Sequence, residues 1–83
     1  MNTTTEVVIH KTKKEIQESP DYKALDNYMA VAIAEGFCEG EDANDTQRQA
    51  AWQYLHDTGM AYNLQGWFGR SAKDLISRGV IFD

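Results

Sequence analysis

The chain predicts an all-α fold, a small bundle of three main helices, on three observations. The same six-residue ending is written three times, at Ala32–Phe37, Leu55–Met60 and Leu75–Val80: an apolar residue, three others, a glycine, a second apolar residue. Such an ending stops a helix at a left-handed glycine and closes a hydrophobic contact across the stop, so Gly36, Gly59 and Gly79 act as terminators. Apolar residues ahead of the stops recur at helical spacing. Helix-start pairs, Ser19-Pro20 and Asn44 with Gln47, stand at the right distances upstream.

Residues 1–19 form a variable N-terminal segment. Thr3, Thr4, Thr5, Val7, Val8 and Ile9 favour an extended start, whereas Lys13–Glu18 suits a short polar helix, and neither pattern is long enough to decide. Residues 20–83 then read as a single helical domain. Ser19 caps a helix over Pro20–Glu35, with Asp21 near the positive end of its dipole. Leu25, Tyr28, Met29, Ala32 and Ile33 fall at i, i+3, i+4, i+7 and i+8 and make its buried stripe.

A connection over Glu35–Asp45 follows, carrying five acids and two glycines, and Asn44 with Gln47 resembles a capping box for the next helix, about Asp45–Thr58. Ala51, Trp52 and Leu55 supply its inner side. The chain passes through Ala61–Gly66 into a last helix near Trp67–Arg78, with Phe68, Ala72, Leu75 and Ile76 inward and Arg78 suiting the negative end of the dipole. Tyr28, Met29, Ile33, Trp52, Leu55, Phe68, Leu75 and Ile76 are the expected core.

Composition excludes several classes of function. Hydrophobic residues at 42% and charged ones at 25% describe a chain able to bury a core. No apolar run approaches a membrane span and the first residues lack a secretory pattern, so a soluble intracellular protein is expected, with no membrane partner. The net charge is −5, with −6 over residues 1–59 and +1 over residues 60–83, which disfavours nucleic acid as the partner. Cys38 is the single cysteine, so no internal disulfide forms.

Catalytic and metal chemistry finds no set of residues. The acids Glu35, Glu39, Glu41, Asp42 and Asp45 lack the register of a calcium loop and read as a solvated connection. Gly66–Gly69 has neither the spacing of a phosphate loop nor that of a dinucleotide fingerprint. His56 is explained by its place at a helix end, and nothing specifies a nucleophile–base pairing of Cys38 with His56. No enzyme, no cofactor and no metal are expected.

Asn63–Arg70, reading N-L-Q-G-W-F-G-R, is the densest unusual stretch. Two readings stand side by side: Trp67 and Phe68 anchor the last helix in the core while Arg70 pairs with an acid, or Gln65, Trp67 and Arg70 form a partner-binding surface, since tryptophan and arginine are common binding anchors.

The residues Ala51-Trp52-Gln53-Tyr54-Leu55, Asp57-Thr58-Gly59 and Leu64-Gln65-Gly66-Trp67-Phe68-Gly69-Arg70, followed by Ala72 and Leu75-Ile76, resemble a group of very small bacteriophage proteins of unassigned function. That group carries a W-Q-x-L-x-x-T-G and L-Q-G-x-x-G-R-x-A-x-x-L-I pattern, and the likeness spans residues 28–80. The resemblance implies a phage origin, the cytoplasm of an infected bacterium, and an accessory role in binding a host or defence protein; it supplies no catalytic residue. A nucleic-acid-binding regulator using the last helix and a self-associating, homo-oligomeric structural module are the alternatives.

Overall fold

The computed structural model describes residues 9–36 and 40–83, and among these residues every regular element is helical. The α-helices are α1 (Lys13–Glu18), α2 (Pro20–Lys23), α3 (Asn27–Glu35), α4 (Asp45–Asp57) and α5 (Gly66–Ser77), with a 3-10 turn at Met60–Tyr62 between the last two. α4 is the central element, packing against each of the other four helices and against the 3-10 turn. The Lys13–Glu18 helix, one of two readings of the first segment, is formed. Thr12 Oγ1 accepts from the Glu15 amide at its start, and Ile16 is fully buried.

Ser19 joins α1 to α2. Its hydroxyl donates to the Ile16 carbonyl at 2.7 Å and accepts from the Tyr22 amide at 3.2 Å, so one buried side chain ends one helix and starts the next.

The continuous helix expected over Pro20–Glu35 is broken. Asp26 adopts an extended backbone (φ −126°, ψ −178°), and its carboxylate accepts from the Met29 amide at 2.8 Å, starting α3 afresh. A short acidic side chain that bonds a nearby amide competes with helix continuation, and here it wins. Breaking the helix also breaks the stripe read across it. Tyr28, expected in the core, is 55% exposed, and Met29 is half-buried, while Ala30, Ala32 and Ile33 face inward.

All three predicted glycine stops have left-handed backbones, with φ of 77° at Gly36, 80° at Gly59 and 76° at Gly79. The last is a complete Schellman stop: the Gly79 amide donates to the Ile76 carbonyl at 3.0 Å and the Val80 amide to the Leu75 carbonyl at 2.9 Å. The partner residue of the first stop, Phe37, lies outside the described residues, as do Cys38 and Glu39 of the acidic connection. Asn44 and Gln47 make the expected reciprocal capping box at the start of α4.

Of the expected core, Ile33, Trp52, Leu55 and Phe68 are buried, and Met29, Leu75 and Ile76 pack half-buried against them. Ile16 and Ile81 are fully buried although no helical stripe reaches them. Gly40 shows a different packing rule from the stops: a Cβ there would overlap the Ala32 carbonyl oxygen and lie 2.5 Å from Ile33 Cα, so the loop touches the α3 backbone directly.

Candidate functional site

The start of α5 sets the geometry of Asn63–Arg70. Gln65 occupies the cap position with an extended backbone, but its side chain makes no capping bond and is exposed. The two aromatics that follow divide their roles. Phe68 is buried, tilted against Trp52 with ring centroids 5.9 Å apart. Trp67 is half-buried; it stacks on Phe68 at 4.2 Å and meets Trp52 edge-on at 6.0 Å. Phe68 is therefore the core anchor, and Trp67 covers the core with one part of its ring and keeps another part in solvent.

Arg70 lies one turn beyond Gly66, in a shallow cleft of about 410 Å³ whose walls include Trp52, Trp67, Arg70, Asp74 and Leu75. Its guanidinium makes no ion pair or side-chain hydrogen bond among the described residues. The nearest candidate acid along the helix, Asp74, is instead bound by Arg78 at 2.9 Å. The expectation that Arg70 pairs with one of the chain's many acids is not met among those residues. Of the three predicted site residues, the cleft brings Trp67 and Arg70 together, whereas Gln65 does not line it.

A second, smaller cavity of about 240 Å³ adjoins this cleft through shared walls at Trp52 and Leu75. Ile9, Arg48, Gln49 and Val80 also line it, and Arg48 is neutralised by Asp45 at 3.2 Å.

Two buried glutamines on α4 were not singled out by the sequence, because an isolated glutamine on a helix carries no pattern. Gln49 accepts from the His10 amide at 3.1 Å and donates to the His10 and Val80 carbonyls, each at 2.8 Å. Gln53, one turn on, accepts from the Phe82 amide at 2.8 Å and donates to the Phe82 carbonyl at 2.7 Å and to Asp57 at 2.9 Å. Each carboxamide thus pairs with the backbone of one residue outside the helices through both its donor and its acceptor.

His56 bridges Tyr62 and Asp83, with Nδ1 2.7 Å from the Tyr62 hydroxyl and Nε2 3.0 Å from Asp83 Oδ1. With Nε2–H donating to Asp83, Nδ1 is left to accept from the phenol. Burial first, and then the charge of Asp83, raise the Tyr62 hydroxyl above the usual tyrosine value, which holds it as a protonated phenol, the opposite of an activated nucleophile.

Among the described residues no group of three or more His, Cys, Asp or Glu side chains converges to hold a metal ion, and no helix is long and apolar enough to cross a membrane. Cys38, for which the sequence specifies no pairing with His56, lies outside the described residues. Compared with protein-family models, curated proteins and solved structures, the chain finds no match.

Proposed function

We propose that the chain is a non-enzymatic interaction module that docks a protein partner on the cleft between Trp67 and Arg70. The observation that supports this reading is the contrast among its arginines. Arg48 and Arg78 are each held by an acid on their own helix, while the Arg70 guanidinium, beside a half-exposed indole, has no such partner among the described residues. A planar cation next to an aromatic wall suits a carboxylate attached to an apolar group, and residues of these types dominate binding energy at interfaces. The favoured partner is a protein surface offering an acidic side chain next to an apolar one. Following the resemblance drawn from the sequence, the partner class is a host or defence protein met during phage infection.

Affinity purification from bacterial lysate, comparing wild type with Trp67→Ala and Arg70→Ala, tests the reading. Both variants, once shown to be folded by their helical circular dichroism, are expected to lose the partner that wild type retains. Equal recovery by all three proteins overturns the assignment. A nucleic-acid partner would appear instead as a mobility shift at low salt, and self-association as a mass that rises with concentration.

A further inference from the structure

Gln49 is 2% exposed, and both ends of its carboxamide are committed to backbone groups. Were the segment around His10 to leave, the Gln49 oxygen would lose its donor and its nitrogen one of its two acceptors. A group that offers an N–H and a C=O at the same spacing restores both bonds at once, and a peptide backbone does so. The two glutamine-held residues differ in the burial of the residue before them. Phe82 follows Ile81, which is fully buried, whereas His10 follows Ile9, which is 37% exposed. Ile9 leaves unfilled the 240 Å³ cavity it shares with Trp52, Leu75 and Val80.

We infer that residues 9–11 are a displaceable strap, and that the groove beneath them binds an extended peptide segment carrying a bulky apolar residue, Phe, Leu or Met, immediately before the residue whose backbone pairs with Gln49. A larger side chain at the Ile9 position fills space that Ile9 leaves open, which gives the incoming segment its advantage over the chain's own. The rim adds little selection by charge, because Arg48 is already neutralised by Asp45. The groove shares only two walls with the Arg70 cleft, and the inference does not depend on that cleft having a partner.

The test uses the full chain carrying Ile9→Asp, which disfavours the strap, and a synthetic nonapeptide copying residues 5–13 with Phe at the Ile9 position. Binding is read from tryptophan fluorescence, since Trp52 forms a wall of the groove, and from the Gln49 side-chain amide signals in NMR spectra. The peptide is expected to bind Ile9→Asp at least about tenfold more tightly than wild type, because the native strap competes in the latter. Methylation of the peptide's backbone nitrogen at the His10 position should weaken it by about tenfold or more, through the lost bond to Gln49. Arg70→Ala, whose side chain lines the cleft and not the groove, should leave this affinity unchanged, so the groove and the cleft fail separately.

Equal binding of the methylated and parent peptides overturns the inference, as does absence of binding to a folded Ile9→Asp chain. Hydrogen exchange on the unmodified protein provides a check that no variant's folding can confuse. The His10 amide is expected to exchange much faster than the Phe82 amide, and equal protection of the two excludes a displaceable strap.

Discussion

The Tyr22 hydroxyl donates to Asp57 Oδ2 at 2.8 Å, tying α2 to the last turn of α4. Gln17 and Gln53 donate to the same carboxylate at 2.7 and 2.9 Å, so Asp57 gathers three elements on one side chain. Burial, and then the bond to Asp57 and its charge, push the Tyr22 hydroxyl up from 10.0 to about 12.

The folded protein therefore holds Tyr22 as the neutral phenol more strongly than the unfolded chain does. Its contribution to stability is complete below about pH 10 and is lost as pH rises towards about 12. Phenolate absorbance during an alkaline titration should show one tyrosine ionising late. In Asp57→Asn, which keeps an acceptor but removes the charge, that tyrosine should ionise at lower pH and alkaline unfolding should begin earlier. An unchanged titration would remove Asp57 as a cause.

Leu55→Ala should cost about 2–5 kcal/mol in denaturant unfolding, because Leu55 is fully buried at the centre of α4. Leu75, half-buried and on the wall of both cavities, should cost about half of that or less when cut to Ala. An equal or larger loss at Leu75 would show that the cleft is closed in solution.

Helix ends were legible because their chemistry is local. Gly36, Gly59 and Gly79 with their left-handed backbones, and the Asn44–Gln47 box, each follow from residues within one turn of each other. The break at Asp26 is just as local, but a stripe of apolar residues running through it reads more strongly than a single carboxylate. Trp67 and Arg70 were legible by type and spacing, and they do share a cleft. Gln49, Gln53, Ile16 and Ile81 were not legible, since their roles come from partners brought close only by the fold: His10 is 39 residues from Gln49, and Phe82 is 29 from Gln53.

Gly40→Ala should destabilise by about 1–3 kcal/mol, since the added methyl meets the backbone of α3, which cannot rotate aside as a side chain would. The backbone dihedral of Gly40 is not in the left-handed region, so the loss would report close approach alone. A neutral result in thermal unfolding would mean that the loop moves off α3 at little cost.

Gln53→Leu keeps the volume but deprives the Phe82 amide and carbonyl of their partner, and should cost about 1–3 kcal/mol. Exchange protection at Phe82 should fall while that of the α3 amides holds. Protection lost evenly everywhere would show instead that residues 80–82 and the helices open as one unit.

α4 precedes residues 80–82 in the chain, so during synthesis it exists before they do. Until they emerge, Gln49 lacks the Val80 carbonyl, Gln53 lacks both backbone groups of Phe82, and the space taken by Ile81 stands open. A nascent chain that has not yet released residues 80–82 therefore has its central rod incomplete, and closure over α4 waits on that segment.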